Sequence, residues 1–428
     1  MPATPHLRRT VLPSGLRVIT ERTPGRHAAA FGVWAATGSR DEPEECHGAS
    51  HFLEHVVFKG TGRRTGERIA AEMDATGGES NAVTAKEHTA YFAKVLHEDL
   101  PLAADLICDM VVDPALNGID VETERAVLLN ELAMQRDDPL QAAQQELAYL
   151  LFADERLARP AGGAEATVGA MKRDFVAAFH AEHYVPEKLV VVATGDVDHD
   201  RIVELAAAGL LRRFGDRRRD PVPPREGPGS VTDRPGRCRV LPRSVELASL
   251  MAGVPAISHL HPARYAMAVL STAIGGGISS RLFVELRERR GLAYALGSHA
   301  QAYSDAGAFA VHGVCRPADV PAFLECLRTE LDRIARDGLS EEEVERAKRR
   351  TRGRLALGLA DPLARATALA QGELSGQAPM TVGDLVHKVG ETTGEEVRDL
   401  ASQLFSAPLS LAVAGPFPND RDFLSAGN

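Results

Sequence analysis

Two histidines four residues apart, His51 and His55, lie in the segment ASHFLEHVVF with Glu54 between them. Four residues is just over one helical turn, so both imidazoles project from one face and can share a metal ion. Glu54, three residues after His51, sits on that face as well, near any water the metal holds and without needing to be a ligand. Lys59-Gly60 supplies a stop for the helix. The same spacing is also that of a surface helix that simply carries two histidines, so a third ligand has to decide.

The segment ETERAVLLNELAMQ offers one. Glu124, Val127, Leu128, Glu131 and Met134 recur at i, i+3, i+4, i+7 and i+10, a stripe expected to face the core. Two carboxylates on a buried stripe are costly unless something positive meets them. A divalent cation at Glu131, with Glu124 behind it orienting the ligands, supplies that charge. A solvated acidic face would instead put both glutamates opposite Val127 and Leu128. Two His and one Glu leave one tetrahedral position open, the arrangement of a catalytic rather than a structural Zn2+ site, although such N/O ligation also suits Mn2+ or Co2+. The chemistry implied is hydrolysis. Metal-activated water attacks a polarised carbonyl, and Glu54 takes the proton and passes it to a leaving amine.

Other candidates are weaker. His47 lies four before His51, but Gly48 interrupts and precedes the helix. His180 and His183 in FHAEHY have a metal-like spacing with no acidic or Cys partner nearby, and read as structural residues at a helix end. His88 and His97 have no motif to recommend them. Cys46, Cys108, Cys238, Cys315 and Cys326 are odd in number and scattered, with no CxxC pair, and read as reduced structural thiols; Cys108 and Cys326 fall in apolar helical patterns.

The elements that must position these residues come from a chain of 428 residues, long enough for two domains of about 200 residues each. Hydrophobic residues at 44% and charged residues at 25% are those of a folded globular protein. A net charge of -10 argues against nucleic acid, whose binding needs a basic surface. No run approaches the roughly 18 to 20 apolar residues of a membrane span, and MPATPHLRRTVLPSG lacks an apolar signal core. No membrane partner and a cytoplasmic location are therefore expected.

Residues 215–236 (GDRRRDPVPPREGPGSVTDRPG) are rich in Pro, Gly and Arg without apolar periodicity, and read as a linker between domains 1–214 and 237–428. In so acidic a chain, Arg217-Arg218-Arg219 reads as part of this solvated linker. The flanking halves repeat each other. Asp99-Leu100-Pro101, Glu124-Arg125-Ala126, Asp138-Pro139-Leu140 and the strand ending at Gly195 recur as Asp319-Val320-Pro321, Glu345-Arg346-Ala347, Asp361-Pro362-Leu363 and the strand ending at Gly415, at offsets of 220 to 223 residues. Each half opens with strands, Leu16 to Thr20 and Ala28 to Ala36, then Val240 to Leu241 and Leu247 to Gly253. Long amphipathic helices follow. The expected fold is α+β: two duplicated domains, each a mainly antiparallel sheet covered by helices.

At the metal residues a resemblance becomes specific. The inverted HxxEH motif, with Glu131 76 residues after His55, resembles the pitrilysin or insulinase (M16) family of inverzincin metallopeptidases. The length suits the short two-domain branch that includes processing-peptidase subunits. Similarity runs from Leu12-Pro13-Ser14-Gly15-Leu16 to Ala414-Gly415-Pro416, through GSRDEP at 38–43, FKGT at 58–61 and GGESNAVTAKEHTAY at 77–91. The resemblance implies that the strand around Asn81 and Ala82 pairs with an extended peptide substrate. It further implies that Arg287 and Tyr294, in GGGISSRLFVELRERRGLAY, form a substrate-binding pair, Arg holding a carbonyl oxygen and Tyr donating to a developing oxyanion. Gly275, Gly276 and Gly277 resemble the family's loop here and lack the P-loop pattern, which argues against phosphate binding.

The resemblance also implies half of a clamshell, closed as a chamber by a second subunit in a homodimer or in a heterodimer with a related chain. The implied activity is a zinc endopeptidase acting on short or unfolded peptides, leader or presequence peptides included; a non-catalytic scaffold subunit is the alternative. One Zn2+ per chain is expected, because Ser271, Gly275 and Arg352 stand at the repeat positions of His51, His55 and Glu131 and cannot complete a second site.

Overall fold

The computed structural model describes residues 6–152, 155–214, 218–225, 236–418, 421 and 423–424. Strands β1 (His6–Val11), β2 (Arg17–Arg22), β3 (Ala28–Ala35), β4 (Glu79–Thr84), β5 (Thr89–Leu96) and β6 (Leu189–Gly195) form one sheet in the order β1-β2-β6-β3-β5-β4. Strands β7 (Cys238–Pro242), β8 (Ala248–Ala256), β9 (Ala295–Ala302), β10 (Gly307–Cys315) and β11 (Ser410–Gly415) form a second, in the order β7-β11-β8-β10-β9. With β1 set aside the two orders are the same. In each sheet one pair is parallel, β2 with β6 and β7 with β11, and the remaining pairs are antiparallel. The repeat read from the offsets is thus a repeat of topology.

The central strands AAAFGVWA and LVVVATG are buried along nearly their whole length because both faces of the sheet are covered. On one face Phe31, Val33 and Val191 meet the helices Leu100–Val112 and His199–Leu210. On the other, Ala30, Trp34, Val190 and Val192 meet Ala366, Leu369 and Ala370 of the helix Pro362–Leu374. The second sheet is covered in the same way. Leu250, Val254 and Val311 face the helices Arg264–Gly275, Val320–Asp337 and Gly394–Phe405, while Met251, Ala310 and Ala412 face Ala143, Leu147 and Leu151 of the helix Pro139–Leu151.

The compact units therefore differ from a contiguous division into 1–214 and 237–428. One comprises Met1–Leu132, Pro160–Pro224 and Leu357–Thr381, and the other Ala133–Arg159, Arg225–Ala356 and Val382–Asn428. The two Asp-Pro helices are exchanged. Asp138 and Asp361 cap them alike, each accepting from backbone N–H groups of the first turn, so their starts are legible locally. Which sheet each apolar stripe covers is not a local property. Of the expected linker, residues 215–217 and 226–235 lie outside the described residues, Arg217 among them; the chain over 218–225 is irregular, with Arg219 N–H donating to Pro13 O and Val222 N–H to Glu187 O. Among the described residues no helix is long and apolar enough to cross a membrane.

The exchanged helix Pro362–Leu374 is tied to the first sheet by a buried ion pair. Arg365 and Glu21 are both under 5% exposed; an Arg365 Nη donates to Glu21 Oε1 at 3.2 Å and also to Met380 O. Removing one member leaves the other charge buried and alone. Arg365→Met is expected to lower stability by about 3–5 kcal/mol in denaturant unfolding, and Glu21→Met in the same chain to recover much of that loss. A loss below about 1 kcal/mol for Arg365→Met would show that the pair does not hold the helix.

Candidate metal centre

The helix Ala49–Val56 is only two turns long and divides cleanly. Ala49, Ser50, Phe52, Leu53 and Val56 are buried, and His51, Glu54 and His55 occupy the other face. So short a helix needs help at its start. Gly48, at φ +100°, turns the chain into it, and a Cβ there would lie 2.9 Å from Gly163 Cα. The buried carboxylate of Glu42 accepts from Gly48 N–H at 2.7 Å and Ser50 N–H at 2.6 Å, which satisfies free N–H groups and places a negative charge at the positive end of the helix. His47, outside the helix, sits with its Nε2 2.6 Å from Pro160 O.

Glu131 arrives on the helix Gly118–Asp137. Its stripe is narrower than the periodicity suggests. Val121, Glu124 and Leu128 are buried, but Val127 is 45% exposed at the margin of the stripe, and Met134 is 74% exposed because beyond Leu128 the helix buries no residue. Glu131 consequently stands at the edge of the core, half-buried rather than enclosed.

His51, His55 and Glu131 are brought together, with one potential ligand atom from each lying within 4.8 Å of the others. Both Nε2 atoms face the same Glu131 oxygen, from 3.8 Å for His51 and 3.7 Å for His55. Glu124, the residue expected behind the ligands, is buried with one oxygen 3.1 Å from His55 Nδ1 and the other 2.6 Å from Lys59 Nζ. With its Nδ1–H committed to Glu124, His55 turns a lone pair toward the Glu131 carboxylate. Lone pairs converging on a carboxylate oxygen repel one another unless a cation lies between them. Ligand atoms of a tetrahedral zinc stand about 3.3 Å apart, within about half an ångström of the two His–Glu131 separations, and this donor set fits zinc. Burial, and then the neighbouring His55, lower the pKa of His51 against the opposing pull of Glu131, which keeps it in the neutral form a ligand needs.

Glu54 is a partly buried carboxylate beside these ligands. Burial raises its pKa above the ordinary carboxylate range; hydrogen bonds from Thr84 and the nearness of His55 pull in the other direction. The Thr84 hydroxyl donates to Glu54 Oε2 at 2.5 Å. Close by, the fully buried hydroxyls of Tyr91 and Tyr184 lie 2.8 Å apart, and both phenols are raised chiefly by burial, with Glu54 adding to the effect. A carboxylate of raised pKa in a weakly solvated setting is a better proton acceptor than an exposed one.

Asn81 and Ala82 lie on β4, an edge strand paired only with β5. Arg287 and Tyr294 lie in the second unit. The Arg287 guanidinium stacks 4.9 Å over the Phe283 ring, and the Tyr294 side chain is 74% exposed while its N–H donates to Val314 O. At the repeat position of the metal site, Ser271 O accepts from the Ser298 hydroxyl at 2.7 Å, and a Cβ on Gly275 would lie 2.5 Å from Ser298 N. Among the described residues, His51, His55 and Glu131 form the one metal-capable group of three. Sequence reasoning missed Glu42, Lys59 and Thr84. Pairings across 6, 65 and 30 residues leave no periodic trace.

Glu42→Gln puts an amide where a carboxylate receives two N–H groups. The expected cost is about 1–3 kcal/mol in unfolding experiments, with weakened zinc retention in a chelator competition. Wild-type values in both assays would show that the helix is positioned without this cap.

Residues 17–165 match the family described as insulinase (peptidase family M16), and residues 170–351 the peptidase M16 inactive domain. An uncharacterized zinc protease of Streptomyces coelicolor is 41% identical, over 96% of this chain and 90% of its own. Uncharacterized zinc proteases of Mycobacterium tuberculosis (42%, over 97% of this chain and 94% of its own) and Bacillus subtilis (30%, over 96% and 99%) are also similar. Among solved structures, a peptidase M16 inactive domain from Pseudomonas fluorescens has a TM-score of 0.87 at 18% identity, covering 97% of this chain and 99% of that one. A protease from Helicobacter pylori has a TM-score of 0.85 at 20% identity, covering 96% and 100%. The structural likenesses speak to the fold; with the sequence matches over nearly the whole length, they show that the chain belongs to the insulinase family of peptidases, family M16.

Proposed function

We propose that the protein is a zinc-dependent endopeptidase cutting short or unfolded peptides, leader or presequence peptides among them, with one zinc per chain. The observation that carries the reading is the convergence of His51, His55 and Glu131 beside a partly buried Glu54 that is hydrogen-bonded to the open edge strand β4. Zinc held by those three residues supplies Lewis acidity that polarises a carbonyl and makes water a nucleophile near neutral pH. Glu124 orients His55, and Glu54 accepts the water's proton and delivers it to the leaving amine. An extended peptide adds to β4 as a further strand, its backbone groups pairing where Asn81 and Ala82 lie exposed or at the edge. Five free cysteines suit a reducing, cytoplasmic setting.

Glu54→Gln is expected to keep one equivalent of zinc and lose at least about a hundredfold in peptide cleavage, whereas His51→Ala is expected to lose the metal. Metal analysis alongside a fluorogenic peptide assay reads both. Near wild-type cleavage by zinc-loaded Glu54→Gln would refute the assignment, and a second equivalent that survives His51→Ala would refute the stoichiometry.

For partners the reading is a homodimer enclosing a chamber, in which Arg287 and Tyr294 of one copy serve the zinc of the other. Glu54→Gln and Arg287→Ala proteins are then each nearly inactive, and mixing them after dissociation restores about a quarter of wild-type activity, since about half the dimers are mixed and each has one intact site. No rescue in verified mixed dimers would overturn the shared site. A chain that stays monomeric until a related subunit is added would replace the homodimer with a heterodimer.

A further inference from the structure

The hairpin formed by β4 and β5 is held at its turn. Ser39 N–H and Arg40 N–H donate to Ala85 O and Lys86 O at 3.1 and 2.8 Å, the Thr89 hydroxyl donates to Thr37 O at 2.9 Å, and Arg40 meets Glu87 at 2.8 Å. Gly38 fits so closely against this turn that a Cβ there would stand 2.4 Å from Ala85 O. Thr84 is the last residue of β4 before the clamped turn, while Glu79, Ser80 and Asn81 at the other end are exposed.

The outer edge of β4 has a direction. The Ala82 N–H is turned to the Asn81 side-chain oxygen at 2.9 Å, and two residues on, both the N–H and the hydroxyl of Thr84 are turned to the Glu54 carboxylate. Backbone groups along an antiparallel ladder alternate with a period of two, so Ser80, Ala82 and Thr84 present theirs to the same side. A strand added there finds the Ala82 N–H turned to the Asn81 side chain and the Thr84 N–H turned to the Glu54 carboxylate.

We propose that Thr84 is a positioning residue for Glu54: through its hydroxyl and N–H, the anchored end of the strand that receives the peptide also holds the proton-transferring carboxylate and ends the peptide's register on β4 beside it. The inference rests on the peptidase reading and adds to it a coupling between substrate docking and the base. Because the Thr84 end is fixed by the 37–40 segment, Glu54 keeps a set place relative to a peptide docked on β4.

The test uses the full-length, zinc-loaded protein and a fluorogenic peptide. Thr84→Val keeps the shape of the strand residue and removes the hydroxyl donor. One zinc is expected to remain, with kcat falling about ten- to a hundredfold and KM changing less than about threefold. Thr84→Ser, which keeps the donor, is expected to restore kcat to within about threefold. In a Glu54→Gln background Thr84→Val is expected to have no further effect, because the group it positions is already gone; a merely structural role would multiply the two losses. Where the valine protein does not fold, Thr84→Ala gives the same readout. Unchanged kcat in an active, zinc-loaded Thr84→Val protein, a loss confined to KM, or full multiplication with Glu54→Gln each overturns the role of Thr84 while leaving the peptidase reading intact. A zinc-loaded wild type that cleaves no member of a peptide library overturns both.

Discussion

Eight residues, Ala49–Val56, are buried on one side and carry His51, Glu54 and His55 on the other, and the first unit is organised around that division. A two-turn helix has too few internal hydrogen bonds to persist alone. Its stability comes from Phe52, Leu53 and Val56 in the core and from the Glu42 carboxylate on its first N–H groups. With the backbone so fixed, His51, Glu54 and His55 have little freedom in where they point. Neighbouring elements then complete the site, with Glu124 and Glu131 from one helix and Thr84 from an edge strand.

The low solvation of this face sets its chemistry. Burial pushes the Glu54 carboxyl up and the His51 imidazole down, both toward their neutral forms. A neutral imidazole is what a cation requires, and a carboxylate of raised pKa is a better proton acceptor than an exposed one. The Tyr91 and Tyr184 hydroxyls add buried polarity, satisfied by one another. Lys59 places a positive charge on the buried Glu124, so its burial does not leave an isolated charge.

Duplication explains the fold and throws the site's asymmetry into relief. Two sheets that share the same order of five strands carry one metal-capable group among the described residues. At the equivalent place in the second unit, the Ser298 hydroxyl bonds back to Ser271, and Gly275 is a glycine because the approach of β9 leaves no room for a Cβ. The loss of ligands is therefore filled by closer packing. The exchange of the two Asp-Pro helices means that each sheet is completed by sequence from the far side of the chain, with the buried pair of Glu21 and Arg365 spanning 344 positions.

Spacing along a helix is a local property, so the shared face of His51, Glu54 and His55 was legible from residue types alone, as were the Asp138 and Asp361 helix starts, the internal repeat and the apolar central strands. Glu131 was reached by asking what could meet a carboxylate on a core stripe, and that stripe proved narrower than its periodicity, since Val127 and Met134 are exposed. Periodicity reports which residues of a helix share a face and is silent on where along its length the core ends. Silent too are the contacts that join distant segments: Glu42 on the helix start, Lys59 on Glu124, Thr84 on Glu54, and each exchanged helix on the sheet of the other repeat. Such contacts depend on how the elements meet in three dimensions, a choice made by the packing of whole faces, and for that reason only the tertiary structure decided them.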